Sequence, residues 1–231
     1  MDDIIEQIAL CIEKGKISAA SNHPAEMKGQ PGADELTKRA LEKETEPGIV
    51  LKKGLIKGME KVGRLFRNNE IFLPDVLMAA KAMTAAMEHL RPHFQSGKIR
   101  HQGIIVLGTV AGDLHDIGKK IVGMFFEGGG WDVIDLGVDV KSDMFLKTVE
   151  EYQPRAVGLS ALLTTTMVNM EKITEAVKGR FPKVKVIVGG APLTESFAAK
   201  IGADAYFPDP QGSLEYLDGV LLQEGSTGES V

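Results

Sequence analysis

The stretch Gly112-Asp113-Leu114-His115-Asp116-Ile117-Gly118 sets a carboxylate two residues ahead of an imidazole. In an extended loop, residues two apart point to the same side, so Asp113 can accept a hydrogen bond from one ring nitrogen of His115. That bond would fix the tautomer and leave the other nitrogen, made more basic, as a metal ligand. An Asp-x-His in a loop is more often a turn followed by a helix cap, and the spacing alone leaves both readings open. Gly118 would open the next helix, where a side chain would block the close approach of a ligand. Farther along, Ser160 stands just past the buried run of GLSALLTTT, and Gly189-Gly190 end VKVIVGG. Each feature is weak alone. Together they clear a slot opposite the histidine loop, suited to a long, bulky ligand tail.

These positions lie at strand ends. GIIVLGTV, WDVIDLG, RAVGLSAL and VKVIVGG are near-continuous apolar runs, the pattern of strands buried on both faces. Amphipathic segments alternate with them: DIGKKIVGMFFEGG, KSDMFLKTVEEY, TTMVNMEKITEAVKGRF and LTESFAAKIG. A short ADAYF and a last helix near GSLEYLDGVLLQ follow. Strand-helix alternation predicts parallel crossovers and a doubly wound α/β domain. Its ligand site belongs outside the carboxyl ends of the strands.

The first hundred residues read as helical. Ile4, Ile5, Ile8 and Ile12 form one stripe, and ELTKRALEKE is a short second helix. Pro47 opens PGIVLKKGLIKGMEKVGRLF, and Pro74 sits in the first turn of FLPDVLMAAKAMTAAMEHLRPHF, which Pro92 is expected to end. Methionines 78, 83 and 87 read as core filler. Between the first two helices, Ser18 to Asp34 is small, polar and broken by proline and glycine, a loop or weakly ordered insertion. The expected divisions are a helical cap over 1–97, an α/β domain over 102–224 and a disordered tail over 225–231.

Composition excludes some classes. A formal charge of −5 and a pI near 5.6 give no basic footprint for nucleic acid. The single cysteine, Cys11, rules out an internal disulfide framework. The opening MDDIIEQ lacks the basic start of a signal peptide, and no apolar run is long enough to span a bilayer. A cytoplasmic protein is expected.

Asp113-Leu114-His115-Asp116-Ile117-Gly118, Ser160-Ala161-Leu162 and Gly189-Gly190, in that order and spacing, resemble the signature of base-off, histidine-on cobalamin-binding domains. The preceding GLIKGMEKVGRLFRNNEIFLPDVLMAAKAM looks like the four-helix-bundle cap of the methyl-transferring members. Those are the corrinoid subunits of methanol, methylamine and aryl-ether methyltransferase systems and the cobalamin module of methionine synthase. The likeness runs from about Glu35 to Asp209. It implies a corrinoid cofactor, methylcobalamin in the loaded state, with His115 as lower axial cobalt ligand and Asp113 holding the far ring nitrogen. A serine of methionine synthase that bonds this carboxylate falls at Thr166, where the hydroxyl is kept. Gly112, Leu114, Asp116, Gly118, Ser160, Leu162, Thr164, Gly189 and Gly190 would contact the cofactor or line the channel for its nucleotide tail. Phe66 and Leu73 would cap the methyl-bearing face, although helix core is the plain alternative for both. The resemblance further implies a methyl carrier lacking a substrate site of its own. It would be served by a substrate-specific methyltransferase, a second methyltransferase to a pterin or thiol acceptor, and a reductive activase.

Other classes predict other features. A cobalamin-dependent regulator would need a basic recognition helix, for which the acidic, loop-rich start offers no room. A mutase subunit would have a substrate barrel in place of the FLP helix. A flavodoxin-like domain without corrinoid would stay colourless after reconstitution. The Ser18–Asp34 stretch departs from the family and bears on partner docking more than on cofactor binding.

Overall fold

The computed structural model describes the backbone of residues 2–227 and the side chains of 3–220. The chain forms two compact units, one reaching to His101 and including Gly128–Gly130, the other covering 102–127 and Trp131 onward.

The first unit is helical. Helix α1 (Asp2–Glu13) is followed by α2 (Ala33–Glu42). Then come α3 (Pro47–Ile49), a π-helical stretch Val50–Ile56 and α4 (Lys57–Arg67) in one run, and finally α5 (Leu73–Gln95). The isoleucine stripe works as expected at Ile5, Ile8 and Ile12, which are buried with Leu51, Leu55, Met59 and Val62. The π-helical widening has no counterpart in the sequence periodicity. Pro92 does not end α5, which runs on to Gln95. A proline there removes one helical hydrogen bond, and both Pro92 and Glu88, whose carbonyl loses its partner, are exposed to water.

The Ser18–Asp34 stretch is an ordered loop. Lys16 is fully buried and its ammonium donates to the Ser21 carbonyl at 2.9 Å. The Glu35 carboxylate accepts from the backbone N–H of Ala19 and of Gly32, at 2.9 and 2.8 Å.

The second unit carries a five-stranded parallel sheet: β1 (Ile104–Thr109), β2 (Asp132–Asp135), β3 (Ala156–Ser160), β4 (Lys185–Gly189) and β5 (Ala205–Tyr206), in the order β2-β1-β3-β4-β5. Helices α6 (Ile117–Gly128), α7 (Ser142–Tyr152), α8 (Met167–Arg180), α9 (Glu195–Lys200) and α10 (Pro210–Thr227) cover it. Strand alternation sorts the core into two layers. Val106, Val157, Leu159, Val186 and Val188 face Phe145, Val149, Met170, Ile173 and Ala198 of α7, α8 and α9. Ile105, Leu107, Ala156 and Ile187 face Phe126 of α6, Trp131, and Leu214 and Leu217 of α10. The last helix continues to Thr227, past the residue where a disordered tail was expected to start. Extending a formed helix adds a hydrogen bond for each residue fixed, and no proline follows Pro210 to stop it. Residues 228–231 of that expectation lie outside the described residues. Among the described residues no helix is long and apolar enough to cross a membrane.

Candidate functional site

Chain direction from β1 reverses at one place. β1 continues outward to β2 on one side and pairs with β3 on the other, so the loops after β1 and β3 diverge from a shared crevice. The loop after β1 holds Asp113 and His115; the loop after β3 holds Leu162, Leu163 and Thr166.

Asp113 joins the two loops. Its side chain is buried without exposure, and both carboxylate oxygens are occupied. Oδ1 accepts from the His115 backbone N–H at 3.1 Å and from His115 Nδ1 at 2.7 Å. Oδ2 accepts from the Leu162 and Leu163 backbone N–H groups at 2.8 and 3.2 Å, and from Thr166 Oγ1 at 2.9 Å. Burial alone would raise the pKa of this acid. The Leu162 amide, the His115 ring and amide, and the Thr166 hydroxyl outweigh it and hold the carboxyl well below the usual carboxylate range. The carboxylate is therefore a fixed anion, and it makes His115 Nδ1 the donor.

The His115 side chain remains 52% exposed, with Nε2 on the side of the ring away from Asp113. Thr109 Oγ1 donates to the His115 carbonyl at 2.9 Å and ties the backbone to the end of β1. Thr166 occupies the position before α8 where a threonine often caps the helix, yet its side chain does not cap it. The hydroxyl instead has two acceptors, Asp113 Oδ2 and, at 2.8 Å, the Leu163 carbonyl. Having one proton, it can serve one fully at a time.

Glycines shape the rest. Gly112 turns at φ +83° and Gly190 at φ +141°, both in the region that favours glycine. A Cβ on Gly190 would fall 1.9 Å from the Ala161 carbonyl oxygen, so the two strand-end loops meet with no space for a side chain. At Gly118 a Cβ would meet nothing within 4 Å, and at Gly189 only the Phe207 carbonyl oxygen at 3.9 Å. Those two positions border open space. Ser160 closes β3, half-buried, and Thr164 is exposed on the loop that follows. Asp116 pairs with Lys120 on α6, which draws its carboxyl below the ordinary range.

Large apolar side chains around His115 are left uncovered: Leu114 is 73% exposed, Ile117 66%, and Leu162 and Leu163 42% each. Apolar surface of this kind around one accessible imidazole nitrogen fits the underside of a flat, largely apolar macrocycle with a metal at its centre. Phe66, in the last turn of α4, and Leu73, at the start of α5, are half-buried in the helical unit. Sequence reasoning missed three contributors: the Leu163 amide, Asn169, whose Nδ2 donates to the Ala111 carbonyl at 2.8 Å, and Asp139, whose Oδ1 accepts from the Gly112 N–H at 2.7 Å. A backbone amide has no sequence signal, and lone Asn or Asp residues outside a motif look like solvated surface.

The crevice, the oriented imidazole and the apolar surround define a B12-binding protein. Residues 103–214 match the family described as B12 binding domain, and residues 30–91 match a second family of the same description. The chain is 45% identical over 180 residues to dimethylamine corrinoid protein 2 of Methanosarcina acetivorans, covering 77% of this chain and 83% of that one. Among solved structures it is similar to a chain of the methanol:cobalamin methyltransferase complex MtaBC from Methanosarcina barkeri (TM-score 0.79, 27% identity, 96% of this chain and 80% of that chain). It is also similar to a cobalamin-binding protein from Desulfitobacterium hafniense DCB-2 (TM-score 0.73, 29% identity, 92% and 96%). The chain belongs to the corrinoid proteins that serve methyltransferases, and cobalamin is its cofactor.

Proposed function

We propose that this chain carries a methyl group on the cobalt of a bound corrinoid, with Nε2 of His115 as the lower axial ligand. The observation that carries the assignment is the saturation of Asp113. A buried carboxylate with every donor in place can only hold the imidazole by Nδ1, which commits Nε2 to the open side of the crevice. When bound, the corrinoid supplies a cobalt that takes up and releases the methyl group.

The chain's own residues orient the ligand and manage its proton. Asp113 fixes the ring plane and directs Nε2 away from itself. Thr166 turns its single proton toward Asp113 or toward the Leu163 carbonyl, and so adjusts how strongly the carboxylate pulls on Nδ1. Gly118, Ser160, Thr164 and Gly189 leave room along the strand ends for a nucleotide tail, and Gly190 lets the two strand-end loops close on each other; Gly112, Leu114, Asp116 and Leu162 border the ring. Phe66 and Leu73 shield the methyl-bearing face and move aside for transfer.

The methyl donor side is a substrate-specific methyltransferase, and the likeness to a dimethylamine corrinoid protein supports a methylamine as the first substrate to try. A second methyltransferase, to a pterin or thiol, receives the group, and a reductive activase restores the cofactor. The test is reconstitution with cobalamin, reduction of the cobalt to Co(I) with a low-potential chemical reductant, and incubation with a methylamine methyltransferase and its substrate. The visible spectrum should shift to that of the methyl-loaded cofactor, and His115→Gly should load at least about tenfold more slowly. A protein that stays colourless after reconstitution would refute the proposal.

A further inference from the structure

The loop between β2 and α7, residues 136–141, runs alongside the end of β1. The Thr109 N–H donates to the Gly137 carbonyl at 3.0 Å, and the Val140 N–H donates to the Thr109 carbonyl at 2.9 Å. Val110 and Val140 extend the parallel pairing by one bridge. At the tip, Asp139 adopts φ +54°, a left-handed conformation that aspartate tolerates better than most residues. This turn aims both of its polar groups at the histidine loop. Asp139 Oδ1 accepts from the Gly112 N–H at 2.7 Å, and the Asp139 N–H donates to the Asp113 carbonyl at 3.0 Å. The peptide units on either side of the Gly112–Asp113 bond are thus each held by Asp139, and Asn169 of α8 holds the first of them a second time, at the Ala111 carbonyl.

We infer that Asp139 is a positioning residue that sets the placement of the His115 loop beneath the cofactor. The inference rests on His115 being the axial ligand. Asp113 fixes the rotation of the imidazole, but its own backbone must first be placed, and Gly112 at φ +83° supplies no side chain to place it. Asp139 does so with a charge-assisted hydrogen bond, shorter and stronger than an amide-to-carbonyl bond. Without it, residues 111–113 keep Asn169, the Asp139 N–H and the bond from the Asp113 N–H to the Val110 carbonyl, but lose the acceptor of the Gly112 N–H. His115 would then sample a wider range of heights, and the share of cofactor with the imidazole bound would fall.

Asp139→Gly keeps the left-handed turn and the N–H to Asp113 while removing only the carboxylate. Asp139→Asn keeps both the turn and a weaker oxygen acceptor. In the cobalamin-loaded protein, the ratio of imidazole-bound to imidazole-free Co(II), read by electron paramagnetic resonance, should fall about tenfold in Asp139→Gly and about threefold or less in Asp139→Asn. In the cofactor-free protein, the Gly112 amide proton should lie far downfield, move part-way upfield in Asp139→Asn and fully in Asp139→Gly. That measurement on Asp139→Asn still decides if Asp139→Gly fails to fold. A ratio in Asp139→Gly within twofold of the unaltered protein, equal losses in both variants, or an unmoved Gly112 amide would overturn the inference. An unaltered protein with no axial nitrogen signal would instead defeat the assignment of His115, leaving the Gly112 amide to judge the clasp separately.

Discussion

At the scale of single residues, the site is organised around an anion rather than around the histidine. Removing the Asp113 carboxylate takes the acceptor from three backbone amides, the Thr166 hydroxyl and the imidazole N–H. Asp113→Ala should lower stability by about 3 kcal/mol or more, measured by urea unfolding of the cofactor-free protein. Asp113→Asn gives the pH dependence. The folded pKa of Asp113 is depressed, so its contribution is complete above the unfolded value near about pH 4 and is lost as the pH falls toward the folded value. The stability gap between the unaltered protein and Asp113→Asn should hold constant from pH 7 to about pH 4 and narrow below it. A gap that closes already at pH 6 would contradict the account. Thr166→Val removes one donor to Asp113 and should cost about 1 kcal/mol. It should also alter the pH profile of imidazole coordination; an unchanged profile would take Thr166 out of the proton path.

The legibility of these residues follows from their spacing. Asp113, His115 and Thr166 stood out because a motif joins them, and the structure brings all three within hydrogen-bonding distance. Asp139 and Asn169 act through backbone groups of the same loop, but nothing in GVDV or VNME marks them. Their role depends on which loop the fold places next to the histidine, and that is fixed by strand order.

At the scale of elements, the apolar runs made the parallel sheet legible, because strands covered on both faces leave no polar alternation to confuse with a surface strand. Local exceptions were not legible. Pro92 continues a helix near its end, where both it and Glu88 are exposed residues. The π-helical Val50–Ile56 leaves no mark on the apolar spacing. The Ser18–Asp34 loop has the composition of a disordered segment but is held by a buried ammonium and a carboxylate that accepts from two amides. Glycines at strand ends suggested a ligand slot, and the structure separates their uses: Gly118 and Gly189 border open space, whereas Gly190 lies against the Ala161 carbonyl. Gly190→Ala should therefore cost about 3 kcal/mol, through backbone strain and overlap together, seen as a lowered melting temperature without cofactor. Gly118→Ala should leave the cofactor-free melting temperature unchanged and weaken cobalamin binding. A melting temperature for Gly190→Ala equal to that of the unaltered protein would contradict the close approach.

At the scale of the whole molecule, two compact units divide the labour. The α/β unit carries His115, the proposed cobalt ligand, and the helical unit carries Phe66 and Leu73, for which a shielding role is proposed. Phe66→Ala should speed photolytic loss of the methyl group from the loaded protein several-fold. An unchanged rate would return Phe66 to the helical core. Cofactor choice was legible in this sequence because a motif of spaced residues carries it, whereas no motif in it marks a methyl donor or acceptor.

The measurement that bears most directly on the whole account is electron paramagnetic resonance of the Co(II) protein prepared with 15N-labelled histidine. Coordination through His115 Nε2 predicts axial hyperfine splitting from a spin-½ nitrogen, which disappears in His115→Gly. A splitting pattern from unlabelled nitrogen, or one that survives the substitution, would mean that the cofactor's own base or another group holds the metal.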